Sequence, residues 1–193
     1  MCQNRHFILH KPYGYLSQFI DNSSSKKKLL GSLGNFPEST MAIGRLDEKS
    51  EGLLLLTTDG KASEQIRAKH VEKEYYAQVD GLISNEAIDE LQNGVEIGFD
   101  GKKYTTLSCS VFRLANDPGF PERSRKIRDD RHGPTSWLSI TLTEGKFRQV
   151  RKMTAAVGFP TLRLVRVRIG ALRMERFFPG YTKEVDSFNL TRH

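Results

Sequence analysis

The chain has 193 residues, 37% hydrophobic and 27% charged, and its 30 Lys+Arg against 23 Asp+Glu leave a formal net charge of +7. That length allows one domain or two small, closely packed ones with a real core, and no apolar run approaches the roughly 20 residues that span a bilayer. Two cysteines, Cys2 and Cys109, stand at no metal-ligand spacing, which points away from a disulfide-stapled secreted scaffold and towards a reducing cytoplasm.

The N-terminal MCQNRHFILHKPYG has a short apolar patch without an extended signal-peptide core. Phe7 to Lys11 reads as a strand closed by the turn signal PYG. Asp21 to Lys28 is polar and low in complexity, an exposed loop. Leu53 to Thr57 is a short apolar run ending at Asp59-Gly60, the pattern of a buried strand and turn. Lys61 to His70 has helical composition, and Lys73 to Val79 reads as a strand. Ser84 is placed to cap a helix running through Leu91, with Gly94 as its stop. Lys103 to Leu114, rich in Thr, Val and aromatics, reads as one long strand. Asn116 to Pro134 has no period and is expected to be a loop or excursion. Trp137 to Leu142 is another strand. Phe147, Val150, Met153 and Val157 recur at helical spacing before Gly158. Strands interrupted by a few helices, with no βαβ series, predict an α+β fold with mainly antiparallel sheet.

The basic excess favours a polyanionic partner, and it is concentrated. Between Glu144 and Arg176 there are nine Lys or Arg residues against two glutamates. In EGKFRQVRKM, read as a helix from Glu144 to Met153, Phe147, Val150 and Met153 form an inward stripe. Arg148, Arg151 and Lys152 then share another face. That face is either simply solvated or grips phosphate beside an active site. In TLRLVRVRIG, the parity of Leu162, Leu164, Arg166 and Arg168 changes from apolar to basic, as at a core edge beside an anion-binding groove.

Asp47 lies in GRLDEKSEGLLLLTTDG, Gly44 to Gly60. An Asp in a polar loop is ordinarily a turn residue or cap. Here the leucines that follow anchor the loop and Arg45 supplies a compensating charge, so Asp47 is a candidate nucleophile or base. Tyr75 and Tyr76 point to opposite faces of their strand. Tyr75 is either a core residue or a ring that stacks on a base.

In chain order, LHKPYGYLSQF, GRLDEKSEGLLLLTTDG, KEYYAQV, EGKFRQVRKM and RLVRVRIG resemble the successive signatures of pseudouridine synthases, within the RsuA-like branch. The resemblance spans about residues 8 to 170. It implies a mixed, mainly antiparallel twisted sheet with flanking helices and a central RNA cleft. It also implies that Asp47 is the essential aspartate, Tyr75 the ring on the target base, and Arg151 the cation that pairs with the aspartate. Arg45 would hold loop and RNA, and Lys146, Arg148, Lys152, Arg166 and Arg168 would meet the RNA. Ser50 and Thr58 depart mildly from the family's common Thr and Asn. Many branch members carry an N-terminal S4-type domain; with KPYG so near the start, the expected organisation is one catalytic domain over residues 1–193 with no S4 domain.

The reaction so implied is isomerisation of a flipped-out uridine to pseudouridine, which has no net redox or hydrolysis and calls for no cofactor or metal. The implied partner is ribosomal RNA, 23S above all, for a monomeric cytoplasmic enzyme that engages neither membrane nor DNA. Three rivals stand beside it: a noncatalytic RNA-binding or ribosome-assembly factor, a base-excision enzyme on DNA, and a hydrolase. The hydrolase needs a second carboxylate or a Ser/His pair, and His6, His10, His70, His132 and His193 form no such constellation.

Overall fold

The computed structural model describes residues 3–20, 26–68, 71–127, 130–175 and 178–190. In chain order the elements are β1 (His6–Lys11), β2 (Tyr15–Leu16), β3 (Lys28–Leu29), β4 (Met41–Ile43), β5 (Glu51–Thr57), α1 (Gly60–Ala68), β6 (Lys73–Asp80) and α2 (Asn85–Asn93). There follow β7 (Glu96–Phe99), β8 (Lys102–Thr105), β9 (Ser110–Arg113), β10 (Thr135–Leu142), α3 (Gln149–Ala156), β11 (Thr161–Ile169), β12 (Leu172–Arg173) and β13 (Thr182–Val185). The chain divides into two units. The first holds residues 1–71, 120–125 and 166–193, and the second holds 72–119 and 126–165.

In the first unit the strand order is β13-β1-β5-β11, with β4 also on β5 and β12 on β11. β1 runs antiparallel to both β5 and β13. Leu53, Leu54, Leu55 and Leu56 are all fully buried, so β5 is covered on both faces and shows no alternation. One face packs Leu54 and Leu56 with Phe7, Leu9 and Leu30. Asp59 caps α1 by accepting from Lys61 N at 2.9 Å and Ala62 N at 3.2 Å. Residues 69–70, the end of the predicted helix, and 21–25, most of the predicted polar loop, lie outside the described residues.

In the second unit the order is β11-β6-β10-β9, with β7 and β8 forming a separate antiparallel hairpin. β10 pairs antiparallel with β6 and β9. The core gathers Ala77, Val79, Leu138 and Ile140 from these strands, Leu91 from α2 and Val150 and Met153 from α3. Ser84 does cap α2, its Oγ accepting from Ala87 N at 3.2 Å, and Gly94 ends it at φ 98°.

Three local expectations are corrected. The strand predicted over Lys103–Leu114 is two strands, because backbone donors between them serve other partners. Thr106 N donates to Val95 O, Cys109 N to Gln92 O and Leu107 N to the Glu144 carboxylate. The helix predicted from Glu144 begins only at Gln149, after Arg148 adopts a left-handed φ of 53°. Phe147 therefore precedes the helix and is 66% exposed rather than inward. The Leu162, Leu164, Arg166, Arg168 parity of β11 does not run from core to open groove: Arg166 and Arg168 are both buried in the strand's interior run.

Candidate active site

The loop carrying Asp47 joins β4 to β5, and hydrogen bonds fix it on both sides of the half-buried carboxylate residue. Ahead of Asp47, Ser17 Oγ donates to Leu46 O at 2.8 Å and accepts from Leu46 N at 2.9 Å. Behind it, Gly14 N donates to Glu48 O at 2.8 Å, and Ser50 N donates to Asp47 O at 3.0 Å. Leu46 itself is buried, while Arg45 is exposed.

Beneath this loop lies Lys11, the last residue of β1 and fully buried. Its ammonium donates to Pro12 O at 2.9 Å, Tyr15 O at 2.7 Å and Glu48 O at 3.4 Å, tying the PYG turn to the aspartate loop. Burial lowers its pKa to about 7; the charges of Glu51, Asp47 and Glu48 oppose the fall and that of Arg166 adds to it. Composition and motif did not single out Lys11. A signal existed: alternation along β1 places Lys11 on the same face as the buried Phe7 and Leu9.

Tyr75 and Arg151 belong to the second unit. Tyr75, on β6 opposite Ile140, is half-buried and packs against that unit's core. Arg151, in the first turn of α3, donates from Nη1 to Thr161 O at 3.2 Å. Lys146 and Lys152 are half-buried and Arg148 is exposed; Lys146 and Arg148 precede α3 and Lys152 lies within it. Arg166 and Arg168, 4% and 6% exposed, are turned to the fold itself. Arg166 Nε donates to Leu53 O at 2.7 Å and Arg168 Nη1 to Gly170 O at 2.7 Å. Burial pushes the Cys109 thiol up to about 11, so it is a poor nucleophile at neutral pH. Among the described residues no cluster of three or more His, Cys, Asp or Glu could hold a metal ion, and no helix is long and apolar enough to cross a membrane.

A family model described as RNA pseudouridylate synthase matches residues 5–156. The chain belongs to this family. A pseudouridylate synthase crystal structure resembles it with a TM-score of 0.74 at 24% identity, over 96% of this chain and 71% of that one, a likeness of fold. The ribosomal large subunit pseudouridine synthase E of Xanthomonas campestris pv. campestris is 42% identical over 93% of this chain and 95% of its own length. The protein of the same name from Vibrio vulnificus is 38% identical over 96% of this chain and 76% of its own. The α+β architecture and mainly antiparallel pairing of this pseudouridylate synthase match the expectation from the motifs.

Proposed function

We propose that this pseudouridylate synthase isomerises a uridine of large-subunit ribosomal RNA, with Asp47 as its catalytic carboxylate. The names of its relatives support the substrate. The clamped loop supports the residue: Ser17, Gly14 and Lys11 restrain the backbone on both sides of Asp47, as accurate placement of a reacting group requires. Isomerisation breaks the N1–C1′ bond, turns the uracil and joins C5 to C1′; C5 loses a proton and N1 gains one. The base must first leave its stack, at a cost of a few kcal/mol.

Tyr75 and Arg151 keep, in this reading, the roles their motifs imply: a ring against the target base and a cation for the carboxylate. Arg45, Lys146, Arg148 and Lys152 would bind phosphates, whereas the burial of Arg166 and Arg168 argues for structural duty. The reading takes RNA as the substrate, in keeping with the excess of Lys and Arg and the names of its relatives, and it includes a monomeric cytoplasmic enzyme that does not engage DNA.

The test is tritium release from rRNA labelled at uracil C5, since that hydrogen is lost when C5 becomes the glycosidic carbon. The wild type should release tritium, and Asp47→Ala should be slower by about 10³-fold or more while still binding RNA. RNA binding by the wild type without release, on assembly intermediates as well as free rRNA, would instead favour a noncatalytic binding factor.

A further inference from the structure

Phe147, expected in the core, stands 66% exposed just ahead of α3, among alternating rings and ammonium groups. Lys152 Nζ lies 5.5 Å from the Phe147 ring centroid and 6.0 Å from that of Phe99, and donates to Gly98 O at 2.6 Å. Lys146 Nζ lies 5.1 Å from the Phe99 centroid and 4.8 Å from that of Tyr104. The Phe99 and Tyr104 rings meet edge to face with centroids 6.1 Å apart. The inner end is anchored, because Tyr104 Oη donates to Glu144 Oε2 at 2.7 Å and the other Glu144 oxygen accepts from Leu107 N and Gln149 Nε2.

The outer end of this ladder is an aromatic ring with solvent before it and a fixed positive charge beside it. Exposing a phenylalanine forfeits burial energy, and here the loop that carries it is tied down rather than free to fold the ring away. An aromatic face flanked by held ammonium groups suits a nucleobase to stack and phosphates to neutralise. Paired RNA hides its base faces, so the matching ligand is an unpaired nucleotide.

We propose that Phe147, with Lys152 and Lys146, forms a stacking subsite for an unpaired nucleotide of the RNA substrate other than the target uridine. The proposal rests on the RNA-modifying reading above. It explains why Lys146, before α3, and Lys152, within it, are interleaved with rings, which phosphate binding alone does not require.

The experiment measures binding of the full chain to a short dye-labelled oligoadenylate and to an RNA duplex of equal length. Phe147→Ala should weaken binding of the single strand by roughly 10-fold and leave the duplex unaffected. Phe147→Trp should restore single-strand binding, which excludes a general loss of fold. Unchanged single-strand affinity in Phe147→Ala overturns the proposal and leaves the ring to a protein partner. An equal loss on the duplex also overturns it. Tritium release by the wild type on rRNA, run alongside, reports on the enzymatic reading independently of either result.

Discussion

The lowered pKa of Lys11 ties the stability of the fold to pH. Between pH 7 and the ordinary lysine value of 10.5, an unfolded chain holds this proton and the folded chain has released it. Stability attributable to Lys11 therefore climbs with pH across that window, at up to about 1.4 kcal/mol per pH unit, and below it the full penalty of a buried charge applies. Lys11→Met removes the titration. In urea unfolding at a series of pH values, the stability of wild type minus variant should rise from neutral to alkaline pH; parallel curves would refute the assignment. The variant also strips a donor from the Pro12, Tyr15 and Glu48 carbonyls, so tritium release should fall by about 10²-fold through misplacement of Asp47. At this scale the anchoring of the Asp47 loop was legible because the leucines that follow it are local, whereas the burial of Arg166 and Arg168 was not, because alternation shows which residues share a face but not what covers it.

The close approach of β5 and β11 depends on a glycine. Gly52 has φ 108°, and a Cβ there would lie 2.6 Å from Arg166 N and nearer still to its carbonyl oxygen. Backbone cannot yield as a side-chain tip can, so Gly52→Ala should destabilise the protein by about 3 kcal/mol or more, read as a lower denaturation midpoint; a midpoint within error of wild type would show that β11 shifts freely. Gly44→Ala is the control: its φ of 70° carries backbone strain, but a Cβ there meets nothing within 4 Å. Elements whose register rests on their own residues were readable, among them the four leucines of β5 and the Ser84 cap. The start of α3 was not, because Arg148 is left-handed and Glu144, expected inside the helix, is held instead by the distant donors of Tyr104 and Leu107. The break between β8 and β9 was hidden for the same reason, since Val95, Gln92 and Glu144 claim the intervening donors.

Charge summed along a chain overstates what a polyanion can meet. Of the nine cations between Glu144 and Arg176, Arg163, Arg166 and Arg168 are at most 6% exposed, and Arg176 lies outside the described residues. A buried guanidinium bound to a strand carbonyl displaces no counterion from RNA, whereas an exposed one on a phosphate does. The salt dependence of RNA binding therefore separates the two kinds of arginine. Arg45→Gln and Arg148→Gln should each make the plot of log affinity against log salt shallower by about 0.7 on single strands, and the pair together by about 1.4. Arg166→Met should leave that slope unchanged and instead lower stability to urea, by about 1–3 kcal/mol for the lost bond to Leu53 O. The opposite pattern, a shallower slope with full stability in Arg166→Met, would return that arginine to the RNA surface. If the expected pattern holds, the local excess of +7 reaches RNA only through the residues around α3 and those few others that the folded chain leaves in solvent.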